Sequence, residues 1–542
     1  MPGITPRNSH FSYSMQEKGV EVSRILAYFI GSLLFLLGSI FFFPKYSVMW
    51  NAKAGLFGSW DFVTGCLCFF TGANLDFIQT IRYNHGTQLR QVLRAFTALC
   101  NYMATALCFI IGSWFYLPKY INRVDEGTQY MNVAITFYGQ YQVKEVKLDP
   151  DVGKSTVELT EARGYVAETH NVTTTDGYIL TMHRLPKSYD ESQAGEDAAK
   201  GKPAVLIQHG LLDSSFSWVC NFRNQSLAFV LADAGYDVWL GNNRGNTYST
   251  NHVKYTTEDD AFWDFSWEDM GRFDLPAMLN YARETSGQKT VAFVGHSEGA
   301  TQAFVAFSND QTLAQSVSYF AALAPVAWLG NTDAKALKFL ATVYLDKIFE
   351  VLGQVEFLSQ SEVLQEVIGA AACTANPELC ETALALVSGV SENWNSSRVS
   401  VYLSEMPAGT SVKNMGHYAQ SIRKGTFSAY NYGCGCLRVF GIKLCSKHIC
   451  ENKIKYGSFD PPAFPVGTMK YPRTGFFTGE NDILATSTDT NQLRAAMPNT
   501  TIIHDEEISD FSHLDFTWAV DANERVYRSV LEQLDQYIDI GY

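Results

Sequence analysis

Ten residues constrain the fold more than any others: Val291-Ala292-Phe293-Val294-Gly295-His296-Ser297-Glu298-Gly299-Ala300. The apolar, β-branched run up to Val294 reads as a strand, a Gly-x-Ser-x-Gly turn follows, and Ala300 to Phe304 continues with helix-compatible residues. That pentapeptide recurs by chance in long chains, so its weight comes from its setting between a strand and a helix. In that setting the two glycines have a reason. A sharp, strained turn with a helix packed closely behind it leaves no room for a Cβ on either side of Ser297. The turn lifts Ser297 Oγ above the end of a sheet, at the positive pole of the following helix.

The chain has 542 residues, 46% of them hydrophobic, which is enough for two or three folded units. Its net charge of −14, with no cluster of Lys and Arg, argues against nucleic acid as a partner. Four of the eleven cysteines, Cys66, Cys68, Cys100 and Cys108, lie in apolar amino-terminal segments and read as small hydrophobes. Downstream, Cys373 and Cys380 bracket a short loop, and Cys434, Cys436, Cys445 and Cys450 crowd one insertion. Close pairs of this kind point to disulfides in an oxidising compartment; a zinc site is the alternative for the cluster of four, although its spacing is not that of a common finger. Cys220 is left unpaired.

Residues 1–24 are polar, and the run Ile25 to Phe43 that follows carries no charge over nineteen residues, long enough to cross a bilayer. Gly55 to Ile78 is a second candidate span, burdened by Asp61 and Asp76, and Phe96 to Leu117 is a third, with Trp114 and Tyr116 where an aromatic belt belongs. Small pairs recur at Gly31-Ser32, Gly38-Ser39, Gly58-Ser59 and Gly112-Ser113, which lets helices approach closely; this spacing resembles the small YrhK-like membrane domain. With three spans, a slight Lys/Arg bias puts the amino terminus in the cytosol and the Ser297 domain in a lumen or outside the cell. Without the second span the orientation reverses. Sequons at Asn171, Asn224, Asn395 and Asn499 agree with the lumenal orientation, though about that many arise by chance in such a composition.

After a polar connector at 118–160, apolar runs alternate with helix-like stretches, the pattern of an α/β domain with a mostly parallel sheet. Strands are expected at Tyr178–Arg184, Ala204–Gln208, Asp237–Leu240, Val291–Gly295, Phe320–Pro325, Gly475–Thr478 and Thr501–Glu506. Between about Lys335 and Pro465 the alternation lapses into helical stripes, such as Leu337, Leu340, Tyr344, Ile348 and Val351, then Val363, Leu364, Val367 and Ile368. An insertion there has the position of a cap or lid. The expected organisation is a cytosolic tail at 1–24, a transmembrane region at 25–117 (helices at 25–43, 55–78 and 96–117), the connector at 118–160, a core in two parts at 161–334 and 466–542, and a cap at 335–465 that includes the cysteine-rich insertion.

A serine nucleophile needs a base, an orienter for the base and donors for an oxyanion. In an α/β-hydrolase these follow in the order Ser, acid, His at the carboxyl ends of strands. Asp482, in Gly479-Glu480-Asn481-Asp482 after the strand GFFT, is the acid in that order, with Asp489 as its rival. His513 lies on a loop after the last strand and is the base; Asp515 beside it reads as a structural partner of that loop. Of the other histidines, His504 sits in a strand-like run, His296 inside the elbow and His448 among the insertion cysteines. The oxyanion donors are the backbone N–H groups of Glu298 and of Leu211, the latter in the loop opened by His209-Gly210. His209 as base is the alternative, but a residue before a glycine at a strand end more plausibly fixes the loop.

Several longer runs carry a resemblance: NVTTTDGYIL from Asn171, QHGLLDSS from Gln208, SLAFVLADAGYDVWLGNNRGNT from Ser226, FDLPA from Phe273, PAGTS from Pro407 and SHLDF from Ser512. In order, over residues 155 to 540, they resemble the acid lipase family of gastric and lysosomal lipases. The resemblance implies an α/β-hydrolase fold with a helical cap, hydrolysis of triacylglycerols or cholesteryl esters, and no metal or other cofactor. It assigns Ser297, Asp482 and His513 as the triad and the Leu211 and Glu298 amides as the oxyanion hole, and it sets Cys373 and Cys380 where the family's cap disulfide lies. Glu298 stands where the animal enzymes usually have glutamine. The four-cysteine insertion and the apolar start lie outside the resemblance. The expected function is a membrane-anchored serine lipase acting on a lipid ester; the competing readings are an acyltransferase using the same triad and a catalytically silent lipid-binding membrane protein.

Overall fold

The computed structural model describes residues 149–342, 355–358, 377–439, 442–538, 540 and 542. The tail at 1–24, the three apolar segments at 25–43, 55–78 and 96–117, and most of the connector lie outside the described residues, as do Cys373 and the helical stripe from Tyr344 to Ile368. No helix among the described residues is long and apolar enough to cross a membrane.

In chain order the first strands are β1 (Glu168–Thr173), β2 (Tyr178–Leu185), β3 (Ala204–Gln208), β4 (Asp237–Gly241), β5 (Asn251–His252), β6 (Val291–His296) and β7 (Val317–Leu323). Two short strands, β8 (Glu356–Phe357) and β9 (Thr410–Ser411), and the hairpin β10 (Cys434–Val439) and β11 (Ile442–Cys450) precede β12 (Thr474–Gly479) and β13 (Ile502–Ile508). The main sheet has nine strands in the order β1-β2-β4-β3-β6-β7-β12-β13, with β5 paired to β2. From β4 to β13 every pairing is parallel, while β1, β2 and β5 join antiparallel.

Strands β3, β4, β6, β7 and β12 are buried along their whole length, which is why each has an apolar centre, even where Thr474 and Thr478 flank the phenylalanines of β12. Successive side chains go to opposite layers. Leu206, Phe293, Phe320 and Phe476 pack with the helices Leu275–Ser286 and Glu298–Asn309. Val205, Ile207, Val294, Ala321 and Phe477 pack with the helices Leu227–Asp233 and Arg528–Tyr537 on the other face. The strand expected at Phe320–Pro325 ends at Leu323, because Ala324 turns into the left-handed region at φ 44°. β1 and β5 escape the apolar pattern: β1 is an edge strand of polar residues apart from Val172, its one buried side chain, and β5 is two residues long.

The connector ends earlier than residue 160. A compact unit begins at Val146. The helix Thr156–Ala162 buries Leu159 completely, and Asp149 and Asp151 accept Arg398 Nη1 at 3.2 and 3.0 Å. Arg398 belongs to the stretch expected as cap, yet the helix that follows it, Val399–Glu405, buries Val399, Val401 and Tyr402 in the same core layer as Trp518. That part of the insertion is core, not cover. In the hairpin, Cys434 and Cys450 are disulfide-bonded, which removes the zinc alternative for that pair, and Cys436 faces Cys445 in register. Cys380 is half of a disulfide, and Cys220 is free and buried.

Candidate active site

Ser297 sits between β6 and the helix Glu298–Asn309 with φ 53° and ψ −114°, a backbone conformation that costs a non-glycine residue about 1–3 kcal/mol. Its glycines are required by close approach. A Cβ on Gly295 would come 2.8 Å from the amide nitrogen of Ala300, and one on Gly299 would come 2.5 Å from the carbonyl oxygen of Gln208, so the helix lies directly on β3. Gly299→Ala is therefore expected to lower unfolding free energy by at least about 2 kcal/mol, measured by urea denaturation. An unchanged midpoint would mean that the helix can back away from β3.

Asp482 follows β12 by a tight turn in which its own N–H donates to Gly479 O at 3.3 Å. Its Oδ1 accepts the backbone N–H groups of Leu484 and Ala485, both at 2.8 Å, which aims Oδ2 outward. His513 Nδ1 meets that Oδ2 at 2.8 Å, and His513 Nε2 meets Ser297 Oγ at 2.7 Å. With Nδ1 donating to the carboxylate, Nε2 carries the lone pair that receives the serine hydroxyl. All three side chains are buried, Ser297 being the most open at 8%. The histidine loop is held at both ends of residue 513: its N–H donates to Ser388 O at 3.0 Å, and its carbonyl accepts His296 Nε2 at 2.8 Å. Asp515 accepts Ser512 N–H at 2.6 Å and Ser391 Oγ–H at 2.5 Å, the part of a loop brace.

The other candidates are engaged elsewhere. Asp489 accepts the backbone and side-chain N–H groups of Asn331 at 3.0 and 2.8 Å. His209 bonds Gly210 O through Nδ1 and receives Asn243 N–H and the Asn246 amide on Nε2, and burial lowers it to about 4, so it fixes the loop. His504 pairs with Glu506 on the sheet edge, and burial holds His296 down at about 3. The side chain of His448 lies outside the described residues. The loop after β3 leans on the nucleophile, since a Cβ on Gly210 would come 3.1 Å from Ser297 Cβ. Among the described residues, neither the Leu211 nor the Glu298 N–H donates to another backbone group.

Two features have no signal in the sequence. The Ser388 carbonyl that holds His513 comes from the end of a helix in the insertion, Pro377–Ser388. The Glu298 carboxyl turns inward, where its Oε1 accepts Asn414 Nδ2 at 2.7 Å, and burial pushes it up to about 7 against the Asn414 hydrogen bond. A cavity of about 760 Å³ is lined by Asp333, Glu392, Glu480, Asp482 and Asp510 among others, and by neither Ser297 nor His513.

A family model described as "alpha/beta hydrolase fold" matches residues 203–518, one described as "Partial alpha/beta-hydrolase lipase region" matches 156–222, and one described as "YrhK-like protein" matches 18–81. The chain is 37% identical over 396 residues to the gastric triacylglycerol lipase of Homo sapiens, covering 71% of this chain and 92% of that protein. To the lysosomal acid lipase/cholesteryl ester hydrolase of Homo sapiens it is 37% identical over 398 residues, covering 73% and 94%. The epoxide hydrolase VrEH1 of Vigna radiata aligns structurally with TM-score 0.39 at 14% identity, covering 68% of this chain and 99% of that one. With the fold model matching more than half of its length and both lipases aligned along more than nine-tenths of theirs, the chain belongs to the α/β-hydrolases and, within them, to the acid lipases, and it is a carboxylic-ester hydrolase.

Proposed function

We propose that the protein is a membrane-anchored serine lipase that cleaves esters of neutral lipids, triacylglycerols or sterol esters, through an acyl-enzyme on Ser297. The observation that carries the chemistry is the unbroken line Ser297 Oγ, His513 Nε2, His513 Nδ1, Asp482 Oδ2, with contacts of 2.7 and 2.8 Å. His513 takes the hydroxyl proton as Oγ attacks the ester carbonyl, the Leu211 and Glu298 N–H groups receive the oxyanion, and His513 returns the proton to the leaving alcohol. Water then repeats the sequence on the acyl-enzyme. The choice of neutral lipid esters rests on the names of the two human lipases. A fluorophosphonate probe, followed by a panel of lipid esters, tests both parts: labelling that is no faster than in Ser297→Ala removes the nucleophile.

Anchoring is supported by the uncharged runs at 25–43 and 96–117 and a third segment at 55–78. The organisation that follows is a tail at 1–24, a membrane region at 25–117, a connector running to about residue 145, and the catalytic unit beyond it, placed in a lumen or outside the cell. The Cys434–Cys450 bond supports such an oxidising side. Facing each other across the same hairpin, Cys436 and Cys445 form a second bond in this reading, as Cys373 does with Cys380. In alkaline carbonate extraction the full chain is expected to stay with membranes and a chain starting at residue 146 to be released. Release of the full chain would remove the anchor.

A further inference from the structure

Glu298 is the first residue of the helix after Ser297, where its backbone N–H is the proposed oxyanion donor, while its side chain turns inward and is 2% exposed. Its Oε1 accepts Asn414 Nδ2 at 2.7 Å. Asn414 is fixed on every side. Its Oδ1 accepts Trp267 N–H at 2.7 Å, its amide also reaches Thr410 Oγ1 at 3.1 Å, and its backbone N–H donates to Ser411 Oγ at 2.9 Å. It can therefore offer Glu298 only a donor. One turn beyond Asn414 on the helix Val412–Lys424, the Tyr418 hydroxyl faces the carboxyl and favours its ionised form.

Among the described residues, no charged group packed around Glu298 compensates it. Asp274, the charge that acts on it, is like-signed and is paired with Arg244 at 2.6 Å, and the remaining donors of Arg244 go to Asp176. On the helix Val412–Lys424, Lys413 turns to Asp264, and His417 is held neutral by burial between Ser266 and Ser428. From the segment before the helix Leu275–Ser286, Glu268 pairs with Arg272, and Asp269 receives Ser266 N–H. His209 and His296, on the side of the loop after β3, are neutral through burial, and Thr301 and Gln302 on its own helix carry no charge.

The geometry points to Glu298 as a proton-controlled positioning residue. As the neutral acid it braces, through Asn414, the turn whose N–H receives the oxyanion; once ionised it sets an uncompensated negative charge against that oxyanion and shuts hydrolysis down on the alkaline side. This inference rests on Ser297 as the nucleophile and on the Glu298 N–H as an oxyanion donor. Its range follows from burial, which holds the carboxyl up at about 7. A buried, uncompensated negative charge on the residue that supplies an oxyanion donor slows the step by on the order of tenfold or more.

The test is kcat/KM for a soluble ester from pH 4 to 9 in the full chain, with Glu298→Gln, Tyr418→Phe and Ser297→Ala beside it. The native protein is expected to lose about tenfold or more with a midpoint near 7. In E298Q the alkaline fall moves up by more than about one pH unit, so that the ratio of E298Q to native activity rises about tenfold between pH 6 and 8.5. Y418F, which removes a hydroxyl that favours the ionised carboxyl, shifts the midpoint upward by a fraction of a unit and serves if E298Q does not fold. An alkaline fall that keeps its midpoint in the folded variants overturns the proposal. Activity that survives in S297A overturns the nucleophile reading instead.

Discussion

Replacing Ser297 by alanine is expected to lower kcat for ester hydrolysis by about 10⁴–10⁶-fold while leaving the fold intact. Its Oγ makes one side-chain hydrogen bond among the described residues, to His513 Nε2 at 2.7 Å, and Ala keeps the same Cβ against Gly210. Removing the oxygen therefore creates no clash, and relieves no strain, because the φ of 53° at residue 297 belongs to the backbone. What is lost is the atom that attacks. Initial rates with a soluble ester, read beside circular dichroism, check this; a folded S297A that retains a tenth of the native rate would assign the chemistry to another group.

The second large effect is expected from Asp482→Asn, and it follows from which atoms the carboxylate already serves. Oδ1 accepts Leu484 and Ala485 N–H, and those buried donors keep their acceptor only if the asparagine presents its carbonyl oxygen to them. The amide NH2 then faces His513 Nδ1, which must become an acceptor. The proton moves to Nε2, and Nε2 can no longer take the proton of Ser297. A loss of roughly 10³–10⁴-fold in kcat, with the ester KM little changed, is the expected result. A D482N protein within tenfold of native would show that the imidazole is oriented by something other than this carboxylate.

The strands legible in the sequence include both fully buried ones and two, β2 and β13, that are buried only in part. β3, β4, β6, β7 and β12 announce themselves because burial on two faces demands an apolar centre, such as Val205 to Ile207 in β3 or Phe476-Phe477 in β12. β1, with the sequence ETHNVT, buries only Val172 and carries no apolar run to read. The insertion was harder for a related reason. A helical stripe records only that one face is covered, so the helix Val399–Glu405 could be read as cap although it packs in the core with Trp518. The polar stretch before residue 160 concealed a folded segment because what ties Asp149 and Asp151 down is Arg398, some 250 residues away in the chain, and an ion pair leaves no periodicity.

The candidate site divides along the same line. Chain order alone presents an alcohol at a strand-to-helix turn, then a carboxylate, then an imidazole, each after a strand, because such a turn needs glycines and each strand needs an apolar run, and both leave marks in local sequence. Whether the three meet depends on β6, β7, β12 and β13 lying side by side and parallel, which brings the loops after β6, β12 and β13 to one edge of the sheet. Strand pairing joins residues hundreds apart, so no local pattern encodes it. The same holds for the Ser388 carbonyl that fixes His513 and for Asn414 beneath Glu298. Local sequence determined which groups can react; only the packed structure decided what surrounds each of them, since burial and hydrogen-bond partners are properties of neighbours in space.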